Sequence, residues 1–170
     1  MKRTLVIASM LAAASFASVG SAPAMAAAPA TAVKSSDDML SQMFAWWNQA
    51  FKTPGAYTAA NFSKFFTPDA ALVLEGRTVI NGVDQWATHF QKIQAGGGDV
   101  EIVVPFKQVF QSGNLIYTYH VIRSRRGGEV ACSLAAGHAE LRDGKISTIV
   151  LVRHALDPKK ETLDPQCWVK

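Results

Sequence analysis

Residues 65–86, FFTPDAALVLEGRTVINGVDQW, decide the fold. Thr67-Pro68-Asp69 reads as a turn into a short apolar strand over about 70–74, and Gly82-Val83-Asp84 steps into a helix. Proline presets φ for a turn, and an Asp carboxylate can bond the backbone just ahead of it. Glu75 closes the strand one residue out of phase with Leu72 and Leu74. Alternate strand residues share a face, so Glu75 falls at a rim or in solvent. Both acids therefore read first as punctuation of the fold and only second as chemistry.

On the N-terminal side, Ser36-Asp37-Asp38 caps a helix running to about Phe51. Met39, Met43, Trp46, Trp47, Ala50 and Phe51 recur in it at helical spacing, and Thr53-Pro54-Gly55 ends it. A second helix is predicted over about 59–66. A third is predicted over about 83–93, closed by Gly96-Gly97-Gly98. Beyond it the period changes to two. Strands are predicted over about 100–110, 115–125, 129–142 and 145–155, with turns at Ser112-Gly113-Asn114, Gly127-Gly128 and Asp143-Gly144. Helices followed by an antiparallel meander make an α+β arrangement.

The 170 residues suffice for one domain with a core. Lys2 and Arg3, an apolar run over about 4–19 and the small-x-small site Ala24-Met25-Ala26 predict a secretory signal peptide over 1–26, cleaved near Ala26. An uncleaved anchor is the alternative, although the run is short and diluted for a membrane span. A periplasmic or secreted protein follows, with no membrane attachment after cleavage. Residues 27–36 read as a disordered linker, 37–157 as the domain and 158–170 as a polar tail. The formal charge of +4 shrinks once Lys2 and Arg3 are removed. The weakly basic remainder does not suit nucleic-acid binding, and Arg123, Arg125 and Arg126 read as a solvated hairpin end. An oxidising compartment would permit a Cys132–Cys167 bridge if the tail folds back, worth about 3–4 kcal/mol for a loop of about 35 residues. The bridged and free forms both stay open.

The order α-α-β-α-β-β-β-β resembles the nuclear transport factor 2-like superfamily, which includes SnoaL-like cyclases, ketosteroid isomerases and scytalone dehydratase. The resemblance covers about 37–156. It is carried by FFTPDA, NGVDQW and LRDGKISTIVLV. It implies a curved sheet wrapped over the helices as a cone-shaped roll with an apolar pocket, and homodimers as in many relatives.

A three-residue turn at Arg142-Asp143-Gly144 would set Ala139 opposite Ser147 and Gly137 opposite Ile149. Arg126 opposite Glu129 would set Thr118 by Gly137, His120 by Ala135 and Ile122 by Ser133. One face then carries Thr118, His120, Ile122, Ser133, Ala135, Gly137, Ala139, Ile149, Leu151 and Arg153, and the resemblance turns it toward the cone. A one-residue slip in either turn would swap part of these faces. The isomerase acids would fall on Leu74 and Gly137, and the isomerase tyrosine near Trp46 or Trp47, so those roles are vacant. His120 and Arg153 remain as the candidate catalytic pair, one to move protons and one to hold an anion. The alternative makes His120 a satisfied core histidine and Arg153 a side chain reaching the cone mouth. Trp47, Leu72, Leu74, Thr118, Ser133, Gly137, Ile149 and Leu151 are the expected ligand contacts. No metal and no cofactor are expected. His138 and His154 fall on the outer face with Tyr117, Tyr119, Leu134, Val150 and Val152, an apolar surface that needs a cover. The expected function is binding of a small, partly apolar or weakly acidic molecule. A proton-transfer isomerase, cyclase or dehydratase, and a non-catalytic periplasmic interaction module, are the alternatives.

Overall fold

The Asp38 carboxylate starts the first helix, accepting the Ser41 backbone N–H at 2.8 Å and its hydroxyl at 2.6 Å. In the computed structural model, which describes residues 37–168, this helix is α1, Met39–Phe51. The expected signal peptide and linker lie outside the described residues. Leu40, Met43, Phe44 and Trp47 are buried at one-face helical spacing. Thr58 caps α2, Ala59–Phe62, which is shorter than expected because Phe66 already belongs to a strand. Gly82, at φ 88°, turns the chain into α3, Val83–Ala95.

The strands are β1 (Phe66–Leu74), β2 (Arg77–Asn81), β3 (Asp99–Ile102), β4 (Gln108–Ser112), β5 (Leu115–Arg126), β6 (Glu129–Arg142) and β7 (Lys145–Ala155). They form one curved mixed sheet in the order β2-β1-β7-β6-β5-β3, with β4 also on β5. Only β1 and β7 run parallel. The helices pack on the sheet's inner side, so the expected α+β cone is the observed architecture.

Three local readings need correction. Residues 77–81 form a strand, joined to β1 by Glu75 and Gly76, both at positive φ, as a two-residue hairpin turn demands. Asp69 lies inside β1, where the β1–β7 register breaks, and its carboxylate pairs with Arg142 rather than turning the chain into the strand. The single strand expected over 100–110 is two strands. Pro105 has no N–H for a ladder, and the chain re-joins β5 lower down as β4.

The Gly127-Gly128 hairpin has the expected register, with Thr118 by Gly137, His120 by Ala135 and Ile122 by Ser133. At the last hairpin the turn is two residues, Asp143-Gly144, and Arg142 faces Lys145. A bulge at Ser147 then shifts the pairing, so Ala139 faces Ile149 and Gly137 faces Leu151. The expected register is off by two residues. An even shift leaves every side chain on its expected face.

The tail folds back over part of the sheet's outer face. Cys167 is bonded to Cys132, with Cα atoms 5.7 Å apart. Around the bridge, Leu156 and Leu163 of the tail pack with Val103, Val121 and Leu134. Arg123 is not free in solvent. It binds Glu101 through Nε and Nη2, donates Nη1 to the Gln166 carbonyl at 2.8 Å, and lies with Arg125 over the Trp168 ring. The rest of the outer face stays open, with Val152 and Phe110 exposed and Phe110 stacked on Tyr117. Among the described residues no helix is long and apolar enough to cross a membrane.

Candidate functional site

The hairpin and sheet registers set Leu72 beside Ile149 and Leu74 beside Leu151. These four make an apolar wall. Trp86, Phe90 and Ile93 of α3, Phe44 and Trp47 of α1, Val100 and Ile102 of β3 and Ile122 of β5 complete a cavity of about 180 Å³. Two polar side chains reach it, His89 from α3 and Arg153 from β7.

The walls are held by backbone-directed amides. Asn48 of α1 donates to the Ile102 carbonyl at 2.8 Å and accepts the Ile102 N–H at 3.0 Å, both buried. It completes the free edge of β3 as a further strand would. Gln94 of α3 donates to the Phe51 carbonyl at 2.7 Å, at the end of α1 where carbonyls lack helical partners. The Trp86 indole donates to the Ala70 carbonyl at 3.0 Å. Asn48→Ala strands both buried Ile102 groups. It is expected to cost about 2–3 kcal/mol in a denaturant titration.

Trp47, Leu72, Leu74, Ile149, Leu151 and Arg153 line this cavity. Thr118, Ser133, Gly137 and His120 are not among its lining residues. The space beside Ala135 is filled, because Phe106 and Phe44 pack on His120, its cross-strand neighbour, with ring centroids 5.0 and 5.9 Å away. Gly137 leaves no room either. A Cβ there would come within 1.9 Å of the Val150 carbonyl oxygen, so the glycine serves close strand approach.

His120 is 0% exposed. Its Nδ1 lies 3.1 Å from the Thr118 hydroxyl, and Nε2 is buried without a protein partner among the described residues. Burial pushes its pKa down to about 4, so the ring is neutral at neutral pH. Arg153 stands at the cavity's rim and donates Nε to Glu75 at 3.2 Å, with both side chains about half exposed. Such a pair contributes little to stability. Glu75 is thus a rim residue, one that orients Arg153.

His89 was not legible as a site residue, because it sits on a helix among Asp84, Gln85 and Thr88. It lines both the cavity and a shallow groove between α3 and β2, so it partitions the two. Burial first, and the nearby Lys92 second, hold its pKa below the usual histidine value. The Trp47 indole N–H, in the opposite wall, is buried without a protein acceptor among the described residues. Among these residues no group of three His, Cys, Asp or Glu side chains is placed to hold a metal.

Neither a protein-family model nor a curated protein sequence matches the chain. Solved structures do. A nuclear transport factor 2-like protein of unknown function from Exiguobacterium sp. 255-15 superposes with a TM-score of 0.57 at 19% identity, covering 68% of this chain and 98% of that one. IdmH, a candidate polyketide cyclase from Streptomyces antibioticus, gives 0.52 at 17% identity over 71% and 92% of the two chains. A candidate SnoaL-like polyketide cyclase from Jannaschia sp. CCS1 gives 0.51 at 13% identity over 68% and 84%. The chain has the nuclear transport factor 2-like fold.

Proposed function

We propose that the protein binds a small, partly apolar molecule in the cone cavity. The cavity carries the reading. A concave wall of aliphatic and aromatic side chains with two polar groups at its edge is what a small-molecule site needs. Its volume sets the size of the occupant. About 180 Å³ is near the roughly 150 Å³ of an engineered apolar cavity that takes up benzene, and below the range for drug-sized ligands. A single ring fits it.

The polyketide cyclase neighbours share the fold at identities too low to carry an activity across, and one fold hosts many functions. His120 is assigned no part in the site, since the aromatic packing around it separates it from the cavity. Export to an oxidising compartment is consistent with the Cys132–Cys167 bridge.

Toluene is the probe for this reading. Saturation-transfer NMR should show it binding reversibly to the protein. Leu74 is half-buried at the cavity wall, so Leu74→Trp fills the space without rupturing the deeper core. The variant should bind toluene at least about tenfold more weakly, the scale of a blocked apolar contact. Undiminished toluene binding in folded Leu74→Trp would overturn the assignment.

A further inference from the structure

We infer that His89 and Arg153 form an anion-recognising rim on this cavity, and that its ligand is a single-ring molecule bearing a carboxylate or another anionic oxygen. The inference rests on the cavity reading above and adds the chemistry of the ligand's polar end. Both residues line the same cavity, in which every other lining side chain is apolar or an indole. A ring buried against Leu72, Leu151 and Phe90 would keep its polar substituent at this rim, because no charged partner waits deeper in.

The hydrogen bonding of the two residues supports the assignment. Arg153 spends Nε on Glu75, and neither terminal nitrogen has a protein partner among the described residues. Neither ring nitrogen of His89 has a protein hydrogen bond among them. The ring is held edge-on against Phe90, centroids 5.1 Å apart. Guanidinium donors match a carboxylate in pairs, and an imidazole adds one more donor, or a full charge once protonated.

The fixed charges around the rim balance, Lys92 and Arg153 against Asp84 and Glu75, so the free donors of Arg153 and His89 give it its preference. On α3, Asp84 and Lys92 share the outer groove with His89, beside uncharged Gln85 and Thr88. β2 contributes Val79 and Ile80 there, neither charged. β7 brings Arg153, and the β1–β2 turn brings Glu75, already paired with it. The lining residues of α1, β1, β3 and β5 carry no titratable group. His89 is therefore the only histidine at the rim among the described residues, and burial and Lys92 hold its protonation below the usual histidine range. Its protonation would add a positive charge to the cavity that Arg153 also lines, so any pH dependence through His89 tightens an anion as the pH falls.

The test compares benzoate and toluene by calorimetry and ligand-observed NMR at pH 7.5 and 5.5. Benzoate stays ionised at both. Wild-type affinity for benzoate should be at least as high at the lower pH, with any rise carried by His89. Toluene affinity should not change. His89→Gln keeps a donor and similar bulk without titrating, and should lose any pH-dependent rise while still binding toluene. Arg153→Gln should weaken benzoate about tenfold at both values and spare toluene. Undiminished benzoate binding in Arg153→Gln, or an undiminished pH-dependent rise in His89→Gln, overturns the rim while leaving the cavity reading intact. Failure of toluene to bind wild type overturns the cavity reading, and this inference with it.

Discussion

Cys132→Ala/Cys167→Ala is expected to unfold about 4 kcal/mol more easily than the bridged protein. The bridge closes a loop across 35 positions, and in the chain-entropy model that constraint on the unfolded chain is worth about 3.8 kcal/mol. Both sulfurs lie in a small apolar cluster with Val103 and Val121, so removing them also trims some packing. The tail keeps other anchors. Lys107 pairs with Asp164 at 2.8 Å, and Arg123 still holds the Gln166 carbonyl. The variant should therefore remain folded, with a lower denaturant midpoint and faster hydrogen exchange in residues 156–168. Reduction of the wild type should shift the midpoint by a similar amount. A loss under about 1 kcal/mol would show that the ionic and aromatic anchors already restrain the unfolded tail, contrary to the entropy argument.

Acidification supplies the second large effect. His120 has a usual pKa of 6.5, and burial lowers it to about 4 in the folded protein. Between these values the unfolded chain binds a proton that the folded chain refuses, so stability must fall as pH falls. Its contribution is complete above about pH 6.5 and is lost as pH drops through about 4. At 1.36 kcal/mol per tenfold of proton affinity, the loss amounts to about 3 kcal/mol. Phe44 and Phe106 enforce it by denying the imidazolium both water and a counter-ion.

Carboxylates also contribute at low pH. Lys107 beside Asp164 and the Asp157 N–H on Glu161 hold both acids below their usual range. The diagnostic quantity is therefore the difference between wild type and His120→Leu. The variant should lose most of the slope between pH 6.5 and 4 in urea midpoints. If it does not fold, the His120 ring can be titrated in the wild type by NMR. An unchanged slope in the variant, or a ring titrating near 6.5, would contradict this account.

The registers show how far the chain's own pattern reaches. Gly127-Gly128 can adopt positive φ at both positions, and that alone aligned β5 with β6. At the final hairpin the pattern misjudged the turn and missed the bulge at Ser147. The two errors combined into an even shift, so the expected inner face survived although its pairs did not. β2 carries no legible strand pattern because Arg77, Thr78, Val79 and Asn81 are all exposed, leaving only Ile80 to mark a buried side. Pro105 was visible in the sequence, but its consequence, a strand cut in two, depended on β5 being long enough to pair with both pieces.

Local chemistry by itself determined the helix starts at Asp38 and Val83, the two-residue period after Gly98, the α+β order, and the pairing of His120 with Ala135 across β5 and β6. These follow from capping, periodicity and turn geometry, which act between near neighbours in the chain. The position of the cavity was decided only in three dimensions. Alanine and glycine on β6 promised space there, but Phe44 from α1 and Phe106 from the loop after β3 fill it, and Val150 closes on Gly137. The open volume lies instead between α3 and the β1–β7 wall, where parallel pairing sets Leu72 and Leu74 beside Ile149 and Leu151. His89 became a rim residue for the same reason. A polar residue on a helix reads as solvent-facing until tertiary packing turns part of its surface over a cavity. Large side chains arriving from distant elements decide which space is filled, and no local pattern encodes where they arrive.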